Sequence, residues 1–380
     1  MTVEVVVTGI GLVSASGNLN LSWQNLLLGQ SAIKLHQPFL ELPAIPLAAI
    51  AQTPSQLKTL IRPVVADALI DAGLVLPLPD CGVVIGSSRS QQAQWEKLAK
   101  LMYADSPPRF PCQVGDWLET LPNMPAIAAA RQIGSTAPVL APMAACATGI
   151  WALAQGFELI QTGQCDRVIA GAIEAPITPL TLAGFTKMGA LATTGCYPFD
   201  RYREGLVLGE GAAVFVLESA ELANRRGASI YGEILGFGLT ADAYRVSAPE
   251  LGGESAIAAV KQCLKRSRLS PGDIDYIHAH GTSTHLNDQN EAFLIRHLFP
   301  HKVAVSSTKG STGHTLGASG ALGVAFCLMG LKYQILPPCV GLKEPEFDLD
   351  LVRNPRRGKI RRVLCFSFGF GGQNAVVALG

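Results

Sequence analysis

Short runs of β-branched and aliphatic residues alternate along this chain with stretches whose apolar positions recur at helical spacing. Residues 3–7, 81–88, 166–174 and 212–217 read as buried strands, because an unbroken apolar run closed by small residues suits a strand covered on both faces. Residues 21–28, 61–74 and 123–133 carry the helical period. The proline-rich span 35–57 reads as surface loop and 106–116 as irregular chain, since proline denies backbone donors to regular structure. Residues 8–14, Thr-Gly-Ile-Gly-Leu-Val-Ser, approach a dinucleotide-binding fingerprint, but Ser14 stands at the third glycine position and no second strand ending in an acid follows. Gly9 and Gly11 are therefore expected to serve a tight turn.

The most polar stretch in mid-chain, 218–227, divides the pattern, giving halves of 1–225 and 226–380. Beyond it strands at 230–235, 274–280, 303–306, 363–366 and 375–379 alternate with helices at 255–266, 288–298 and 316–331. Alternation of this kind predicts parallel strands with crossover helices, and its recurrence predicts an internally duplicated α/β/α sandwich.

Of the 380 residues, 48% are hydrophobic and only 16% charged, which allows a large core and leaves room for a subunit interface. A net charge of +1 gives no electrostatic footprint for nucleic acid or for an anionic membrane surface. The nine cysteines are scattered without a CxxC pair, a usage that suits reduced thiols in the cytoplasm and gives no metal-ligand spacing. No secretory leader is legible at the N-terminus. One uncharged window, 132–157, is long enough to span a bilayer, but its two prolines and its hydroxyl residues read better as a strand and helix of a protein core.

Within that window lies Cys146, in Ala-Ala-Cys-Ala-Thr-Gly. Pro138 and Pro142 keep the approach extended, and Ile150, Leu153, Ala154, Phe157 and Ile160 start a helix close to the thiol. A cysteine at a helix N-terminus meets unpaired amides, so its thiolate should become more accessible. A buried structural cysteine is the competing reading. Further on, because side chains alternate along a strand, His278 and His280 would share one face, and with Asp288 and Glu291 they could on paper hold a metal. The turn Gly281-Thr282 would instead aim one histidine into a cleft. His314 precedes a helix rich in alanine and glycine, and Phe368-Gly-Phe-Gly-Gly could offer amides to a developing oxyanion or simply close a β-turn.

Together these motifs resemble the β-ketoacyl-acyl-carrier-protein synthases, in their elongating form. The resemblance rests on Cys146 in Ala-Cys-Ala-Thr-Gly, His280 in Ala-His-Gly-Thr-Ser-Thr, Lys309 and His314 in Ser-Thr-Lys-(four residues)-His-Thr-Leu-Gly-Ala, and the Phe368–Gly372 loop, all in family order. It runs essentially end to end, through Pro198-Phe-Asp, Gly209-Glu-Gly-Ala and Arg226-Gly-Ala. The resemblance implies a thiolase-like, internally duplicated α/β/α/β/α sandwich. It implies that Cys146 accepts an acyl group from acyl carrier protein, and that His280 and His314 promote decarboxylation of a malonyl thioester and stabilise its enolate. Lys309, paired with Glu291, would set their electrostatics, and Asp288 would support the site alongside Glu291. Phe370 and Gly371 would form the oxyanion and gating loop, and Thr282 and Thr284 would hold the pantetheine arm. No metal or other cofactor is implied, and a cytoplasmic homodimer is. A chain-length-setting, non-catalytic partner subunit is the alternative. Departures from the family pattern fall at Gly323, Leu206, His278, Phe366 and His285, where glutamate, phenylalanine, asparagine, asparagine and proline are usual.

Overall fold

The computed structural model describes residues 3–103, 117–250 and 252–380, so the irregular chain expected over 106–116 lies outside the described residues. Among the described residues eleven strands follow one path through the main sheet, and their order repeats itself. In the first half Val5–Ser14 neighbours Gly211–Ser219, followed by Arg167–Glu174, Gly82–Gly86 and Val139–Leu140. In the second half Gly232–Ala241 neighbours Gln373–Leu379, followed by Val363–Gly369, Tyr276–His278 and Ala304–Ser306, with Asp350–Leu351 added at the edge. Each half therefore places its first strand beside its last, and its inner strands run parallel where crossover helices connect them. Three residue pairs, Val5–Val7 against Gly232–Ile234, join the two halves into one hydrogen-bonded sheet.

Period-two alternation sorts the strand side chains into layers. Val83, Ile85, Val214 and Val216 face helices Leu57–Asp71 and Met124–Ile133. Their neighbours Val84, Ala213, Phe215 and Leu217 face inward, onto helices Thr148–Gln161 and Ser319–Tyr333. Val377 and Leu379 of the second half meet the same two helices, while Val376 and Ala378 turn outward to helices Glu254–Arg266 and His285–Leu298. The result is a five-layered α/β/α/β/α arrangement with a central pair of helices. The segment Leu316–Tyr333 is apolar and long enough to cross a membrane, but it is mostly buried as part of that central layer.

Gly9 and Gly11 make no turn. The first strand runs unbroken from Val5 to Ser14, with a register shift between Val7 and Gly9. Helix Leu57–Asp71 presses its backbone onto the strand at these two positions: a Cβ on Gly9 would come within 2.4 Å of the Ala68 carbonyl oxygen, and one on Gly11 within 1.9 Å of that of Val64. The span 35–57 is not wholly loop, because Lys34–His36 and Ile45–Leu47 pair as a small antiparallel ribbon. Helices Gln92–Met102 and Pro179–Lys187 were not legible from apolar periodicity. The first buries no residue and the second only Thr181, Leu182 and Phe185, so each shows little of the stripe that marks a helix in sequence.

Candidate active site

The chain reaches Cys146 through a tight turn. Ala145 adopts a left-handed backbone (φ 46°), and the helix starts at Thr148 with Ala147 as its cap. Thr148 ties the turn from inside: its hydroxyl accepts from the Ala144 amide at 2.9 Å and donates to the Ala145 carbonyl at 2.7 Å. From the other half, the Ser367 hydroxyl donates to the Cys146 carbonyl at 2.8 Å. Such support is needed to hold a non-glycine residue at positive φ, which costs about 1 kcal/mol or more.

The helix N-terminus does not make Cys146 a resting thiolate. Burial pushes its thiol up to about 11, against the opposing pull of the Lys309 ammonium and the Phe370 amide. Desolvation of a charged sulfur outweighs the favourable dipole at this site, so the thiol is protonated at neutral pH and must surrender its proton as it attacks.

Two imidazoles stand ready beside it. One ligand-capable atom from each of Cys146, His280 and His314 lies within 4.8 Å of the others, and the two rings meet edge to face with centroids 5.2 Å apart. Burial holds both histidines well below the usual imidazole value, with the Lys309 charge reinforcing it. Both are therefore neutral at pH 7 and can donate or accept a proton. Lys309 donates to the His280 carbonyl, and its Nζ lies 3.4 Å from His280 Nδ1. An ammonium at Nδ1 leaves the imidazole proton on Nε2. His314 Nδ1 is bonded to Ser319 Oγ at 2.8 Å.

The carboxylates act differently from the sequence-based expectation. Glu291 does not close an ion pair on Lys309; it accepts from the backbone amides of His280 (2.6 Å) and Gly281 (2.7 Å), fixing the turn that carries the first histidine. Asp288 likewise accepts from the amides of Phe199 (2.8 Å) and Ser283 (3.2 Å) and faces Arg203 at 3.7 Å. With both carboxylates committed to main-chain donors, the metal set of His278, His280, Asp288 and Glu291 does not assemble.

The Gly-rich loop is the turn between strands Val363–Gly369 and Gln373–Leu379. Gly371 and Gly372 take φ of 77° and 74°, which a side chain would oppose. The Gly371 amide donates to the Val246 carbonyl at 2.7 Å, so it is not an oxyanion donor. The Phe370 amide faces the thiol, and among the described residues the Cys146 amide bonds to no acceptor. These two N–H groups are the ones left to receive a developing negative charge. The Phe370 ring stacks on Phe185 with centroids 5.8 Å apart.

A cleft of about 410 Å³ opens onto these groups, lined by Cys146, His280, His314, Thr282, Thr284 and Phe370. Thr282 and Thr284 join their hydroxyls at 2.9 Å on its wall. Of the departures, His285 lines the same cleft, Leu206 packs with Cys146 in an apolar cluster, and Phe366 is buried against Phe368. Sequence reasoning missed Ser319, Ser367 and Thr148, whose single hydroxyls carry no spacing signal. It also missed Glu174, a buried acid at a strand end that accepts from Ser87, Ser88, Arg89 and Gly317 and so laces the two halves beside the site.

Ketosynthases are among the solved structures that share this architecture. One, from a type II polyketide synthase complex of acyl-carrier protein with its ketosynthase bound to the hexaketide, superposes with a TM-score of 0.93 at 27% identity, covering 100% of this chain and 99% of that one. A beta-ketoacyl synthase from Burkholderia phymatum gives 0.91 at 27% identity, with 100% and 99% coverage. The fold is thus the thiolase-like sandwich of condensing enzymes. In sequence, residues 51–223 match the N-terminal domain of beta-ketoacyl synthases and residues 231–343 their C-terminal domain. A 3-oxoacyl-[acyl-carrier-protein] synthase 2 of Staphylococcus aureus is 35% identical over 99% of this chain and 97% of its own. A putative mitochondrial 3-oxoacyl-[acyl-carrier-protein] synthase of Schizosaccharomyces pombe is 34% identical over 98% and 97%. The chain belongs to the β-ketoacyl synthase family, and its activity is that of an acyltransferase-type condensing enzyme.

Proposed function

We propose that the chain condenses an acyl group held on Cys146 with a malonyl thioester, both delivered by acyl carrier protein, and releases a 3-oxoacyl thioester. The observation that carries this reading is the meeting of one thiol and two neutral imidazoles in a single cleft, with the amides of Cys146 and Phe370 beside them. In the first half-reaction the Cys146 sulfur attacks the acyl thioester as its proton passes to a neighbouring imidazole. The two amides receive the oxyanion, and the carrier thiolate leaves with the proton. In the second, N–H groups of His280 and His314 hydrogen-bond the malonyl thioester oxygen while the terminal carboxylate departs as carbon dioxide. The resulting enolate carbon attacks the Cys146 thioester, the Cys146 thiolate is expelled, and it takes up one proton from solvent to regenerate the thiol.

On this reading Thr282 and Thr284 bind the pantetheine arm, Phe370 gates the acyl pocket, Lys309 holds His280, and Glu291 and Asp288 fix its turn. The first unit ends at residue 225, the last residue of helix Ala220–Arg225. A homodimer suits the low charged content. A cytoplasmic setting is supported by eight described cysteines that are all free and buried.

The test supplies the purified protein with acyl- and malonyl-loaded carrier protein and follows intact mass and product. Cys146→Ala should gain no acyl mass. Equal acylation of that variant would sink the assignment, and a wild-type protein that makes no 3-oxoacyl product alone would favour a partner-subunit role.

A further inference from the structure

One buried imidazole takes no part in the reaction steps. His278 ends strand Tyr276–His278, two residues before His280, and is only 2% exposed. Its ring is held on three sides. Nε2 lies 3.0 Å from the Thr308 hydroxyl, and Nδ1 lies 3.7 Å from the Cys365 sulfur. On the third side is Gly323 of the central helix, where a Cβ would stand 2.8 Å from the ring's Cε1, 2.9 Å from Nδ1 and 2.8 Å from the Cys365 sulfur. Gly323 sits in ordinary helical backbone, so what calls for glycine there is the ring, together with the Cys365 sulfur it touches, and not the main-chain conformation.

The contact to Thr308 reaches the site in two steps. Thr308 caps the short helix Lys309–Thr312, its carbonyl accepting from the amides of Ser311 (2.9 Å) and Thr312 (3.1 Å). Among the described residues its hydroxyl has no partner but His278. The next residue is Lys309, whose ammonium meets the carbonyl and Nδ1 of His280. A ring that fixes Thr308 therefore fixes the start of the backbone that presents the lysine, and through it the tautomer of His280.

We propose that His278 and Gly323 form a coupled pair, in which the His278 ring fills the space a side chain at 323 would take and, by holding Thr308, positions Lys309 and His280 for decarboxylation of the malonyl thioester. His278 is a positioning residue, since it touches Thr308 and not the reacting atoms. The proposal rests on the condensing function, and it predicts damage to one half-reaction more than to the other. The malonyl step needs N–H groups of both histidines held on one oxygen, whereas acylation depends on the thiol and the amides and asks of an imidazole only that it take up a proton.

The decisive experiment measures Cys146 acylation and malonyl-carrier-protein decarboxylation separately in His278→Leu and His278→Gln. Leucine keeps the bulk without the hydrogen bond, and the decarboxylation kcat should fall roughly 10- to 100-fold relative to acylation, with KM little changed. Glutamine can place its amide nitrogen near the Nε2 position, and it should restore most of the loss. Equal effects of both variants on both half-reactions would overturn the positioning role. A melting-temperature cycle of Gly323→Ala, His278→Ala and the double variant tests the pair without any turnover. Gly323→Ala should lower the melting temperature of the wild type, and lower that of His278→Ala by clearly less, since only the Cys365 sulfur then crowds the added methyl; simple additivity would overturn the coupling. If the wild type showed neither half-reaction, the condensing function would fail while the melting cycle still decided the pair.

Discussion

Gly149, near the start of the nucleophile's helix, lies against Ala321 of the other central helix so closely that a Cβ on it would come within 2.6 Å of the Ala321 amide nitrogen. Gly320 answers from the opposite side, where a Cβ would be 2.9 Å from Ile150. This contact sets the distance between the two halves of the site, because Cys146 precedes one helix and His314 the other. Gly149→Val should destabilise the fold by roughly 1–3 kcal/mol through overpacking, read as a lower melting temperature, and should reduce acylation as the helices separate. Gly184→Ala is the control. That helical glycine has nothing within 4 Å of its would-be Cβ, and alanine should raise stability by roughly 0.5–1 kcal/mol.

Cys146 should titrate late. Its alkylation by iodoacetamide should be slow at neutral pH and keep rising with pH toward about 11, the value to which burial pushes the thiol. Because the Lys309 charge pulls that value down, Lys309→Met should move the alkylation profile to higher pH. A profile that levels off near neutrality in the wild type would mean that the helix dipole outweighs desolvation after all.

The contrast between expectation and structure at this residue has a general cause. Strand and helix positions followed from local apolar pattern, and the order of Cys146, His280, His314 and the glycine loop followed from motif. Burial, however, is a property of the assembled halves, and so the late titration of Cys146 was not legible locally. The same holds for Glu291, whose charge suggested a partner for Lys309 but whose oxygens meet the amides of His280 and Gly281. Gly9 and Gly11 read as a turn because the helix that crosses them, Leu57–Asp71, is distant in sequence. Gln92–Met102 lacked a buried face, leaving nothing for periodicity to detect.

Phe370 should control access to the thiol. Its ring packs on Phe185 in the apolar cluster that contains Cys146 and Leu206. Phe370→Ala should speed alkylation of Cys146 by a bulky maleimide at fixed pH more than alkylation by iodoacetamide, since it opens space without altering the Lys309 charge. Equal acceleration by both reagents would point to a change in thiol acidity instead of access.

Glu291 should make stability depend on pH. Burial raises its carboxyl from 4.5 to about 7, against the pull of two backbone amides and Lys309. The folded state therefore holds this proton more tightly than the unfolded state does, and the associated stability is present in full below the unfolded value. It is lost as pH rises through the folded one. Between about pH 5 and about pH 8 the loss amounts to ~2–3 kcal/mol, because a tenfold difference in proton affinity between the two states is worth about 1.4 kcal/mol. Glu291→Gln should be less stable overall, because its amide nitrogen cannot accept from the second main-chain donor, but its stability should fall less across that interval. Urea unfolding of both proteins at the two pH values measures the difference directly. Parallel losses in wild type and variant would show that the carboxylate, satisfied by the His280 and Gly281 amides, stays ionised throughout.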